Sequence, residues 1–192
     1  MQDHDSSDPQ TQSCLDVIAV ECSRMSRLVR DMLLLASSDA DKWTIQKSEI
    51  NVDTLLITLY EAYEPVCISK KIRLELNLSE DAYPFLSSDR ERLFQILSIF
   101  LDNAVCYSPE GSSLQIQASL KEKDLIFSII DHGKGIPAED KPFIFDRFYR
   151  GDKSRTDKSH FGLGLSIAKE LARMLDGEIG FKDTEGGGAT FW

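Results

Sequence analysis

Cysteine, histidine, positive charge and long apolar runs are all scarce in this 192-residue chain, and each scarcity closes off a class of function. Four cysteines are present (Cys14, Cys22, Cys67 and Cys106), with no CxxC pair. They read as reduced core residues of a cytosolic protein, and metal binding through cysteine is disfavoured. No stretch approaches the ~20 apolar residues of a membrane-spanning helix. The polar opening MQDHDSSDPQTQS lacks the basic and apolar regions of a signal peptide. Lys and Arg number 22 against 32 Asp and Glu, a net charge of −10 that speaks against nonspecific nucleic-acid binding. What is there, at 42% hydrophobic and 28% charged, suits one soluble domain with a core and an appendage.

Residues 1–13 are polar and are expected to be loose. From Leu15 onward Ile18, Cys22, Met25, Val29, Met32 and Ala36 follow at 3-4-3-4-3-4 spacing, an a/d seam, with Leu28 and Leu35 widening the stripe. A lone helix cannot bury such a stripe, so the helix over 14–38 is expected to seek partner helices rather than only its own domain. Residues 39–43 then read as a linker.

Beyond it the elements alternate over 44–192. TIQKSEI reads as a short strand, and Val52 to Ser69 as a helix with Leu55, Leu56, Leu59, Tyr60 and Tyr63 on one face. IRLELNL alternates as a half-buried strand. Asp89 to Tyr107 is a long helix with N-cap side chains at its start. Leu114, Ile116, Ala118 and Leu120, then Leu125, Phe127 and Ile129, alternate about a KEKD turn as a hairpin. A third helix runs from Leu163 to about Leu175 with Gly177 as its stop, and EIGFK and ATFW close the chain as strands. The order implies an α+β fold, a two-layer α/β sandwich with a mixed sheet covered by three helices, preceded by one long amphipathic helix.

Four segments carry chemistry. In IIDHGKGIP, Asp131 at a strand end can accept a hydrogen bond from an exocyclic amine, while Gly133 and Gly135 let backbone lie against a flat base; the amine selects adenine over guanine. In FGLGLSIAK, Gly162 and Gly164 uncover backbone N–H groups at a helix start, an anion site that is neither a Walker A loop nor a Rossmann fingerprint. Between them FIFDRFYRGDKSRTDKSH is aromatic, then basic: Phe145 and Phe148 can anchor a lid from which Arg150, Lys153 and Arg155 reach phosphates. In the helix before, Asn103 offers an amide oxygen to Mg²⁺, with Tyr107 one turn on. Each segment alone also has a plain reading: a glycine turn, a glycine-loosened helix start, a solvated basic loop, a solvent-facing Asn.

In this order and spacing the segments resemble the ATP-binding domain of bacterial sensor histidine kinases. LDNAVCYSPEG is similar to the N box, DHGKGIP to the G1 box, IFDRFYRGDKS to the F box, FGLGLSIAK to the G2 box, and EGGGATFW to the final glycine-threonine box. Residues 15–37 resemble the second helix of the family's dimerisation and phosphotransfer hairpin. The resemblance implies the Bergerat ATP-binding fold shared with Hsp90, gyrase B and MutL. It implies ATP and Mg²⁺ as cofactors: Asp131 on the adenine amine with Thr190 and Gly135 beside it, Asn103 on Mg²⁺, and Tyr107 lining the pocket. Gly162, Leu163, Gly164 and Leu165 would face the phosphates, and Arg150 and Lys153 would contact them from the lid; Gly133, Ile136 and Phe148 complete the set. Catalysis would fall to Asn103 and Arg150, with Gln95, eight residues before Asn103, standing where the ATPases carry a water-activating Glu. An amide cannot take a proton, so Gln95 fits a kinase better than a hydrolase.

The chain departs from the family pattern at Ile99, Cys106 and His160, which replace an Asn, a Lys and a Gly. These departures support a rival reading, a catalytically degenerate signalling or dimerisation module; an ATPase of the Hsp90 or MutL type is disfavoured. Of His4, His132 and His160, none has the context of a phospho-acceptor. The acceptor helix is expected upstream, Met1 is expected to open a piece of a longer membrane-anchored receptor, and Trp192 to stop partway through the last strand. The implied partners are a response regulator and a second copy through the hairpin, with no nucleic acid, and membrane contact only through segments outside this chain. The piece itself would be cytoplasmic and unable to phosphorylate itself.

Overall fold

A computed structural model of the protein describes residues 9–38, 44–151 and 161–192. Lys153, Arg155, His160, the expected linker and residues 1–8 therefore lie outside the described residues. Helix α1 spans Pro9–Ser38, starting earlier than the polar composition suggests. Proline suits the first helical turn because its missing N–H has no partner there anyway. The side chain of Gln12 donates to Asp16 one turn on, at 3.1 Å.

Strand β1 (Ser48–Ile50) leads into α2 (Val52–Ser69), then β2 (Arg73–Asn77), β3 (Leu86–Ser88) and α3 (Arg90–Tyr107). The hairpin is β4 (Ser113–Lys121) and β5 (Asp124–Asp131); α4 (Gly164–Met174), β6 (Phe181–Asp183) and β7 (Ala189–Phe191) follow. Local chemistry sets the helix starts. Asn51 caps α2 by accepting from the Thr54 N–H at 2.8 Å. Asp89 caps α3: one carboxylate oxygen accepts from the N–H groups of Glu91 and Arg92, the other from Gln46 N–H at 3.0 Å. Buried Asp89 thus joins the approach to β1 to the start of α3.

Five strands form one mixed sheet in the order β2-β4-β5-β7-β6, and β1 pairs with β3 apart from it. Only β2 and β4 are parallel. Period-two alternation puts Leu114, Ile116, Ile129 and Phe191 on one buried face, where they meet Leu55, Leu56 and Leu59 of α2, Leu97, Phe100 and Leu101 of α3, and Ile167 and Leu171 of α4. Phe100 stacks on Phe191 with ring centroids 5.4 Å apart. Three helices over one face of a mixed sheet is the expected two-layer α+β sandwich.

Four details differ from expectation. Leu120 is 54% exposed, because β4 runs past the edge of the helical layer. The left-handed residue ending α4 is Asp176, at φ 58°, while Gly177 donates its N–H to the Ala172 carbonyl. Of the four cysteines only Cys67 is buried; Cys14 and Cys22 are exposed and Cys106 is intermediate. Among the α1 side chains described, the widening residues turn inward: Leu35 is buried in the core and Leu28 packs against it. Leu15, Ile18, Cys22, Met25, Val29 and Met32 of the seam stay exposed, and the side chain of Ala36 is outside the described set.

Candidate nucleotide site

Three elements meet where the glycine motifs fall. Asp131 ends β5 opposite Leu114, on the helix-facing side of the sheet, and is only 5% exposed. Its Oδ1 accepts from Gly133 N–H at 2.8 Å, and the Ala189 N–H, nearby on β7, favours the charged form. Burial pushes the Asp131 carboxyl above its ordinary value, and the two N–H donors and nearby His132 only partly oppose this. Such a carboxylate is a pre-set acceptor in a half-dry place, suited to an amine.

Glycine is required around it. A Cβ on Gly133 would lie 2.8 Å from the Tyr107 carbonyl oxygen and 3.0 Å from Asp131 Oδ1. One on Gly188, at φ 104°, would fall 2.7 Å from the Asp131 carbonyl carbon and 2.8 Å from the His132 Cα. Gly135, at φ 68°, backs onto the Gly188 carbonyl at 3.2 Å by the same measure. The end of α3, the 131–136 loop and the turn before β7 are thus pressed together backbone to backbone.

Thr190 is a correction. It pairs with Ile130 across the ladder, whereas Asp131 lies one residue on, so period two turns Thr190 to the opposite face of the sheet. Its hydroxyl bonds that of Thr184 at 2.9 Å. Ala189, not Thr190, stands beside Asp131. Counting back by two from apolar Phe191 is the sequence signal that finds it.

Asn103 lies half-buried on α3 and donates its amide N–H to the Ile99 carbonyl at 2.9 Å. That bond leaves the amide oxygen for another partner, and a neutral hard oxygen suits Mg²⁺. Gln95 stands apart from Asn103. Eight residues at 1.5 Å rise set it ~12 Å along the helix axis from Asn103. Its amide oxygen accepts from Arg92 at 3.3 Å. Helical spacing makes Ile99 the neighbour one turn before Asn103, and its Cγ2 lies 3.3 Å from where a Cβ on Gly164 would be.

Gly164 opens α4, whose start has no side-chain cap and no acidic residue in its first turn. Its uncovered N–H groups and positive dipole end favour an anion. Leu163 is buried and Leu165 half-buried, so both serve mainly to seat the helix. Before it, Gly162 (φ 73°) accepts from the Phe148 N–H at 2.8 Å, and a Cβ there would come within 3.0 Å of the Arg150 Cγ. Phe148 and Arg150 are thereby held at the α4 end, while exposed Tyr107 and half-buried Ile136 flank the Asp131 end. Phe145 instead packs on Phe181, with centroids 6.1 Å apart. A cleft of about 420 Å³ on the outer side of α4 and one of about 570 Å³ beside Tyr83 include neither Asp131 nor Asn103. The candidate site lies between α3, the 131–136 loop and α4.

Comparison with known proteins agrees with this fold. Residues 88–192 match the family described as histidine kinase-, DNA gyrase B-, and HSP90-like ATPase. The sensor histidine kinase WalK of Bacillus subtilis is 35% identical over 175 residues, covering 88% of this chain and 28% of WalK. Full-length ShkA, solved in complex with AMPPNP, superposes with a TM-score of 0.84 at 26% identity over 96% of this chain and 38% of its own. The histidine kinase ThkA, solved with the response regulator protein TrrA, shares the fold, with a TM-score of 0.71 at 23% identity over 100% of this chain and 51% of that one. The chain spans 28–39% of the length of the curated relatives it matches. With more than half its length matched and the glycine motifs gathered about one site, the chain belongs to the histidine kinase-, DNA gyrase B-, and HSP90-like ATPase family, as an ATP-binding catalytic domain of the two-component histidine kinase type.

Proposed function

We propose that this chain binds Mg-ATP and presents the γ-phosphoryl group to a histidine outside these 192 residues, for relay to the aspartate of a response regulator. The carrying observation is the buried Asp131 carboxylate, bonded by the Gly133 N–H beside the α3 helix that also packs on the uncapped start of α4. Asp131 would accept from the adenine amine. Gly133, Gly135 and Ile136 would lie along the base, with Tyr107 at its margin and Phe148 toward the phosphates. The N–H groups of Gly164 and Leu165, with Gly162, Arg150 and Lys153, would take the phosphates. Asn103 would hold Mg²⁺, whose charge neutralises phosphate oxygens. Phosphoryl transfer asks a protein mainly for such positioning.

His132 is exposed beside Asp131, and the reading assigns neither it nor His4 or His160 as acceptor. The exposed seam of α1 supports a second copy as partner, and the TrrA complex of ThkA supports a response regulator. Among the described residues no helix is long and apolar enough to cross a membrane; an anchor, in this reading, belongs to the longer parent. Ile99, packed at the Gly164 helix start, is the observation favouring a degenerate module instead. Autophosphorylation with the upstream helix restored separates the two.

Calorimetry should show ATP bound and GTP bound about a hundredfold or more weaker, with Asp131→Asn removing most ATP affinity. Radiolabelled ATP should leave the chain unlabelled. Equal ATP and GTP affinity defeats the adenine assignment, and strong self-labelling defeats the external acceptor.

A further inference from the structure

Asp140 lies outside every motif considered above, in the irregular stretch after the 131–136 loop. Its backbone is fixed by the turn itself: its N–H donates to the Pro137 carbonyl at 3.0 Å, and its carbonyl accepts from Phe143 N–H at 2.9 Å. Its carboxylate then reaches nine residues forward. The Tyr149 phenol donates to Oδ1 at 2.7 Å in a half-buried setting. A Cβ on Gly151 would lie 2.6 Å from Oδ2, so the chain passes against the carboxylate. The Tyr149 ring packs beside Phe143 with centroids 5.6 Å apart, and the Tyr149 N–H donates to the Asp146 carbonyl at 3.3 Å. Tyr149 and Gly151 flank Arg150, whose Cγ lies against Gly162 just before α4. Phe148, on the other side, is at φ 65° and bonds Gly162.

We infer that Asp140 is a positioning residue for the phosphate end of the site, acting through Tyr149 and Gly151 to fix the backbone that carries Arg150. The fold offers no regular element there: 137–147 is largely a run of turns, and the carboxylate adds a side-chain tie to the Phe148–Gly162 and Tyr149–Asp146 backbone bonds that lead to Arg150. A short phenol-to-carboxylate bond is directional and charge-assisted, so it fixes an angle as well as a distance. The inference rests on the nucleotide reading above, since the phosphates are what Arg150 would meet.

The test is titration of ATP and of adenosine into the full chain by calorimetry, for the parent protein, Asp140→Ala, Tyr149→Phe, the double variant and Asp140→Asn. Asp140→Ala and Tyr149→Phe should each lose about five- to tenfold in ATP affinity and little in adenosine affinity. The double variant should lose no more than the worse single, and Asp140→Asn, whose amide oxygen still accepts from the phenol, should recover most of the loss. Equal weakening of ATP and adenosine, additive losses, or failure of Asp140→Asn to recover would overturn the positioning role. Failure of the parent protein to bind either ligand would strike the nucleotide reading itself, a separate outcome. Thermal unfolding of each variant confirms that affinities are compared between folded proteins.

Discussion

The two ends of the candidate site are built by different means. The Asp131 end is sheet-made: a ladder residue, a backbone donor, and glycines at 133, 135 and 188 that let three segments touch without side chains. The Arg150 end is loop-made, tied by the Phe148–Gly162 bond and the Asp140–Tyr149 bond, with two residues, Phe148 and Gly162, at positive φ. A sheet-made end cannot yield locally, because moving one strand moves its neighbours. A loop-made end can yield, so substitutions there should alter affinity more than stability.

Gly188→Ala tests the rigid end hardest. The new Cβ would drive into the Asp131 and His132 backbone, at a φ of 104° that side chains rarely adopt. We expect a loss of about 3 kcal/mol or more in urea unfolding, with nucleotide binding abolished. A loss under ~1 kcal/mol would mean the Asp131 end yields as readily as the other.

The Asp131 carboxyl gives a test by pH. Its folded value is raised by burial, so the charged form is the one the fold disfavours. The sign follows: its contribution to stability is full below the unfolded value of 3.8, and is lost as pH rises through the raised folded value. Asp131→Asn should therefore match the parent in stability near pH 3 and exceed it near neutrality, while losing nucleotide. ATP affinity of the parent should fall on acidification through that same window, as the carboxylate gains a proton. Binding that persists at full strength below pH 3.8 would remove Asp131 from the site.

The same division governs how much could be read from sequence. α2, α3 and the hairpin announce themselves by period and cap, and Asp131, Gly133, Gly135, Gly162 and Gly164 by glycine spacing, because these signals are local. The side of β7 that faces Asp131 depends on its register against β5, a long-range pairing, and that is why Thr190 stood where Ala189 belongs. Gln95 is a local matter: on a helix, four residues bring side chains together and eight set them two turns apart. Asp140 carries no sequence signal, since its partner lies nine residues away in a segment without periodicity.

Gly162→Ala probes the loop-made end. Its Cβ would meet the Tyr149 carbonyl and the Phe148 carbonyl carbon, the latter at 2.9 Å, at φ 73°. This contact is with loop rather than ladder, so the loop should shift and the cost in unfolding should stay at about 1–2 kcal/mol. ATP affinity should drop several-fold as the Phe148–Gly162 bond is lost. A stability loss as large as that of Gly188→Ala would erase the distinction between the ends.

Phe148→Gly is the mildest change and the sharpest. Phe148 is 56% exposed, so removing its ring forfeits little buried area. Glycine relieves the cost of φ 65° in a residue with a side chain, which is of order 1 kcal/mol, and adds a similar entropy to the unfolded chain. The two effects nearly cancel, so unfolding free energy should change by less than about 0.5 kcal/mol. ATP affinity should still fall, because a glycine there frees the backbone that Asp140 and Gly162 otherwise hold beside Arg150. Adenosine affinity, set at the sheet-made end, should not follow it. If both ligands weaken together, Phe148 belongs to the base-binding margin rather than to the phosphate end.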